Sequence, residues 1–130
     1  MAPKVTLHYF DVPGRAEPIR WILAYGAGED WTDHRMERAE WPAFKSTTPF
    51  GQVPCVEIDG KPLGQSYAIM RYLARQYGLT GKDAWEDAQI DAVADYITGK
   101  NNCNLELKLR LIMKIFSNYF DTKFIRFNSF

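Results

Sequence analysis

Apolar positions in the first hundred residues switch between a two-residue and a helical period, and each switch marks an element. The run "KVTLHYF" at 4–10 is rich in β-branched and aromatic side chains and reads as a strand. Pro13-Gly14 then marks a turn, after which Ile19, Ile22, Leu23 and Gly26 recur at helical spacing and predict a helix from Ala16. Arg15, Glu17 and Arg20 fall off that apolar stripe. "WTDHRM" reads as a second strand, and after an irregular polar passage "PCVEIDGKPLGQS" reads as two strands joined at Asp59-Gly60, a strong hairpin signal. Ser66 is expected to cap a helix that carries Ile69, Met70, Leu73 and Tyr77 on one face and ends at Gly78. Another helix begins near Asp83, with Glu86 three positions on as a partial capping box and Ile90, Val93 and Ile97 facing inward. The order is β-α-β, an irregular segment, then β-β-α: an α/β domain with one further helix.

Composition agrees with a globular chain. Of 130 residues, 46% are hydrophobic and 25% charged, close to ordinary soluble domains and away from the disordered range. No apolar run approaches the roughly 18 to 20 residues that span a bilayer. "MAPKVTLHYF" lacks a signal peptide's apolar stretch, so a cytoplasmic address is expected. Cys55 and Cys103 make neither a disulfide framework nor a metal spacing. The zero net charge hides an asymmetry: residues 1–99 hold 10 basic and 14 acidic side chains, residues 100–130 hold 6 and 2. That tail could attract an acidic partner, but scattered lysines are the simpler reading, and neither a nucleic-acid nor a membrane partner is expected.

Three separated motifs, "LHYFDVPGRAEPIR", "EWPAFKSTTPFGQVPCVEIDG" and "GQSYAIMRYLARQYGL", resemble in order and spacing the amino-terminal domain of a cytosolic glutathione S-transferase. The sigma class, which includes glutathione-dependent prostaglandin D synthases, is the nearest in pattern, and the resemblance covers residues 4 to about 98. It implies a thioredoxin-like glutathione-binding domain over 1–80. Residues 81–99 would then be the first helix of an all-helical domain that is otherwise missing.

The same resemblance supplies candidate residues. Tyr9, at the carboxyl end of the first strand, matches the catalytic hydroxyl, although a lone strand tyrosine is ordinarily packing. A phenol that donates a hydrogen bond to a thiolate favours its charged form and lowers the thiol pKa. Arg15 would support the hydroxyl and the anionic sulfur. Val53-Pro54, after Gln52, matches a cis bond whose backbone edge pairs with the cysteinyl part of glutathione, as a strand adds to a sheet edge. Gln65 and Ser66, at a helix amino end, would hold the γ-glutamyl carboxylate, where unpaired N–H groups and the helix dipole favour an anion. Trp41 and Lys45 match positions for the glycyl end. Cys55 reads as inert packing. Phe50 matches a residue that docks into a partner subunit. Gly99 stands where the sigma class has an aspartate reaching the partner's glutathione. Of the acidic positions that bind a divalent ion in the vertebrate prostaglandin enzyme only Asp95 is nearby, so no metal is expected.

Beyond Gly99 the usage changes. Residues 100–130 contain no alanine, glycine, proline or valine, against twelve alanines in 1–99. Lys, Asn, Ile, Phe and Tyr, whose codons are A/T-rich, fill 18 of those 31 positions and 19 of the first 99. A translated intron or a frameshifted end accounts for that shift; a divergent helix in "LELKLRLIMKIFSNYF" is the alternative. There Leu105, Leu107, Leu109 and Leu111 alternate like a strand while Leu111, Ile112, Ile115 and Phe116 recur like a helix. The functional expectations are a glutathione transferase acting on a small hydrophobic electrophile, a prostaglandin D isomerase, or a non-catalytic truncated glutathione-binding protein. The family is dimeric; a dimer of this chain would have a partner pocket partly missing.

Overall fold

Strand β1 (Val5–Phe10) lies inside a four-stranded sheet, with β2 (Trp31–Met36) on one side and β3 (Cys55–Ile58) then β4 (Lys61–Gly64) on the other. The computed structural model describes residues 2–99, with side chains through residue 95. It divides after Thr80 into two compact units. In the first, α1 (Glu17–Gly26) crosses between the parallel strands β1 and β2, and α3 (Ser66–Gln76) follows the β3-β4 hairpin. A short α2 (Trp41–Phe44) and a 3-10 turn (Lys45–Thr47) occupy the irregular segment. This is the thioredoxin-like arrangement. The Asp59-Gly60 turn forms because both residues take positive φ, 50° and 81°, matching the twist of a tight hairpin. Asp59 also accepts the Lys4 N–H at 2.8 Å, which ties the turn to the start of β1.

The two-residue period of β1 separates the faces of the sheet. Val5 and Leu7 point to one side with Val56 of β3, beneath Ile19 and Leu23 of α1 and Ile69 and Leu73 of α3. Fully burying each such side chain contributes about 1.5–3 kcal/mol, so this layer is the main stabilising element. Gly26 is exposed, yet a Cβ there would overlap the Tyr77 ring, so α1 and the end of α3 approach through it. Gly78, at φ 68°, follows α3 as expected.

Two expectations need correction. Arg20, off the apolar stripe, is only 5% exposed, because its guanidinium is taken up by carboxylates and loop carbonyls. Ser66 is the first residue of α3 and not its cap; the cap position belongs to Gln65, at φ 71° and ψ 114°, with no side-chain capping bond.

In the second unit, α4 (Ala84–Gly99) begins directly after Asp83, where the partial capping box is expected. Asp83 accepts the Glu86 N–H at 2.9 Å, and the Glu86 carboxylate accepts from the Lys82 N–H at 2.8 Å. Ile90 and Val93 are half-buried. Ile97, the atypical segment 100–130 and its alternative helix lie outside the described side chains and residues.

Candidate functional site

Strand direction gathers the candidate residues. β1 and β2 run parallel, β3 antiparallel to β1, and β4 antiparallel to β3, so the carboxyl ends of β1, β2 and β4 and the amino end of β3 lie at one end of the sheet. Tyr9, the loop into α1, the α2 segment, Val53-Pro54 and the amino end of α3 all leave the sheet at that end. Open α/β sheets bind ligands at such ends because the backbone diverges there.

Tyr9 is half-buried, its ring packed against the core. Its hydroxyl accepts the backbone N–H of Arg15 at 3.3 Å. The turn that brings Arg15 there needs Gly14, which has φ +45°, and a Cβ on it would stand 2.5 Å from the phenol oxygen. The contact between Arg15 and Tyr9 thus runs through the main chain, and the Arg15 side chain is exposed. The guanidinium that lies over the Tyr9 ring, 5.9 Å from its centre, belongs to Arg20.

Val53-Pro54 is cis, as the resemblance implied. The β1-β3 ladder ends at the pair His8–Cys55, so Val53 and Pro54 lie just past it, beyond the last pairing partner on β1. Gln52 accepts a long hydrogen bond, 3.4 Å, from the Gln65 amide. The Lys45 stem passes 3.5 Å from the place a Gly51 Cβ would fill, one residue before Gln52 in the chain. Trp41 meets Phe10 edge-on, ring centres 5.8 Å apart. Gln65 adopts a backbone conformation that non-glycine residues avoid, a kind of strain held mostly at functional sites. Ser66 starts an eleven-residue helix with no side-chain cap and no acidic residue in its first turn. Its first N–H groups and the positive end of its dipole are available to an anion.

Two features escaped the sequence reading. Arg20 has as its sequence signal only its position between the core residues Ile19 and Ile22. On the sheet face away from the α1-α3 layer, His8 and His34, registered side by side on β1 and β2, bring their Nδ1 atoms to 2.8 Å. The His34 Nε2 lies 3.3 Å from Glu40, and the Phe44 ring covers His8 at 4.8 Å. Burial, then the neighbouring His34, push the His8 pKa below its ordinary 6.5 against an opposing pull from Glu57. Cys55 is buried, and desolvation raises its thiol pKa, which agrees with inert packing. Among the described residues no group of three or more His, Cys, Asp or Glu is placed to hold a metal ion. None of the described helices is long and apolar enough to cross a membrane.

Comparison with known proteins returns one family. The family described as Glutathione S-transferase, N-terminal domain, matches residues 5–75. Probable glutathione S-transferase 7 of Caenorhabditis elegans is 59% identical over 87 residues, which cover 67% of this chain and 42% of that protein. A Nu-class GST from Haemonchus contortus has a TM-score of 0.70 at 47% identity, covering 75% of this chain and 47% of that one. Prostaglandin synthase D of Nilaparvata lugens has a TM-score of 0.70 at 39% identity, covering 92% and 66%. The chain spans about half the length of the curated relatives it matches.

Proposed function

This chain belongs to the glutathione S-transferase family, whose amino-terminal domain it carries over residues 5–75, and on that premise we propose that it binds glutathione and activates its thiol for attack on a small hydrophobic electrophile. One observation carries the proposal. The Tyr9 oxygen accepts the Arg15 N–H, so the phenol's own proton is left to donate elsewhere. Directed at a bound thiolate, that donor makes a charge-assisted bond worth about 1.5–3 kcal/mol, enough to bring a thiol of ordinary pKa about 8.5 toward neutrality. Tyr9 is then the catalytic donor, and Arg15 contributes its backbone amide to the phenol and its cation to the sulfur.

The peptide fits the rest of the sheet end. The backbone of Val53, before Pro54, pairs with the cysteinyl unit; Gln65 and Ser66 take the γ-glutamyl carboxylate; Trp41 and Lys45 take the glycyl end; and Gln52, bonded to Gln65, binds the peptide beside them. The uncapped α3 terminus and the Lys45–Gly51 approach support these assignments. Residues 1–80 form the glutathione-binding domain, 81–99 start the helical one, and 100–130 are an atypical end. The cytoplasm, which maintains reduced glutathione, is the proposed setting, in line with the free Cys55. The likeness to a prostaglandin synthase D favours a second, narrower reading within the sigma class, isomerisation of a prostaglandin endoperoxide.

The full chain, assayed for retention on immobilised glutathione and for conjugation of a generic electrophile, tests the proposal. Retention with turnover that falls about 10- to 150-fold in Tyr9→Phe is expected. Retention with no turnover leaves a binding protein, and absence of both rejects the reading.

A further inference from the structure

Arg20 donates five hydrogen bonds, and three of them end on main-chain carbonyls of the loop that carries the site. Its Nε donates to Asp33 of β2 at 3.2 Å and its Nη1 to Glu17 at 3.0 Å. The same Nη1 reaches the carbonyls of Val12 at 3.0 Å and Pro13 at 3.3 Å, and Nη2 reaches that of Phe10 at 3.4 Å. Phe10 ends β1 and Pro13 immediately precedes the Gly14–Ala16 turn, so one buried guanidinium spans the loop from end to end. Asp33 also accepts from Arg35, and Arg35 donates to Asp11 of the same loop at 2.8 Å, closing a chain of charges on it. Asp11 and Arg35 are exposed, so that outer link is weak, and the grip rests on Arg20.

We infer that Arg20 is the positioning residue of the thiol-activating loop: it sets where the Arg15 N–H meets the Tyr9 hydroxyl, and through that contact where the phenol proton points. The inference rests on the proposed function. Its action is geometric, because two carboxylates already balance the Arg20 charge and leave no net positive field for a thiolate. Only a planar fork of donors can serve carbonyls and carboxylates on separate segments at once, and a lysine ammonium, a point donor, cannot replace it.

The test compares Arg20→Lys with Leu23→Ala, a core variant on the same helix that lowers stability without touching the loop. Two readouts are taken on the full chain: amide hydrogen exchange at Arg15 without ligand, and the pH at which the ultraviolet absorbance of bound glutathione thiolate appears. In Arg20→Lys, Arg15 is expected to exchange at least about tenfold faster than in Leu23→Ala, and the thiolate transition to move up by about one pH unit, a tenfold loss of thiolate. Exchange or a thiolate transition equal to that of Leu23→Ala overturns the inference. Should Arg20→Lys not fold, the triple variant Arg20→Met, Glu17→Gln, Asp33→Asn, which leaves no unbalanced buried charge, is read by the same two criteria. A native chain that binds no thiolate removes the proposed function, while the exchange arm still decides whether Arg20 holds the loop.

Discussion

Gly14 and Tyr9 show how little room single residues have at this site. Gly14→Ala meets both a positive φ and a phenol oxygen 2.5 Å from its new methyl. The backbone strain alone is expected to cost about 1–3 kcal/mol, visible as a lower urea midpoint, with the displaced phenol reducing conjugation further. Gln65→Gly is expected to do the opposite at first sight. Relief of an unfavourable φ stabilises the fold by about 1 kcal/mol, while loss of the amide beside Gln52 weakens retention on glutathione. A Gln65→Gly chain that is no more stable than the native one would show that its backbone is not strained.

His8 adds a pH dependence at the same scale. Facing it are His34 on β2, Cys55 and Glu57 on β3, and Phe44, while Glu40 reaches it through His34. Its pKa in the fold is below 6.5, so in that range the unfolded chain binds more protons than the folded one. The stabilisation is therefore complete above about pH 6.5 and is lost as the pH falls through the folded value. Melting temperature is expected to decline on that side, and His8→Phe to flatten the decline.

Among the elements, the layer of α1 and α3 on the sheet carries the stability. Leu7→Ala or Leu73→Ala is expected to cost about 2–5 kcal/mol, since both are essentially fully buried and truncation leaves a cavity. Chemical denaturation measures it. The four strands and the helices α1 and α3 of the first unit are legible from periodicity and turn residues, because "KVTLHYF", the Ile19–Leu23 stripe and Asp59-Gly60 each express a local rule; the four-residue α2 lies in the passage that reads as irregular, too short to show a helical period. The cap of α3 reads one residue late in the sequence, at Ser66 in place of Gln65. Capping residues are recognised by side-chain type, and here a strained Gln65 backbone does the work without a capping side chain.

For the whole molecule, Phe50 is an apolar side chain left 63% exposed beside Gly64 of β4. Phe50→Ser is expected to leave the fold and its stability unchanged within about 0.5 kcal/mol, as measured by chemical denaturation. Tyr9, Val53-Pro54 and Gln65-Ser66 were found in the sequence through their motifs, and strand direction explains why residues so far apart in the chain share one end of the sheet. The sequence by itself determined the element order, the core faces and the turn glycines, since these depend on spacing and on which side chains tolerate a given φ. Only the tertiary structure decided that the Arg15 main chain, and not its guanidinium, meets Tyr9; that Arg20 is buried around three loop carbonyls; and that two histidines touch. Those contacts join residues on different elements, and no periodicity along one element encodes the distance between two.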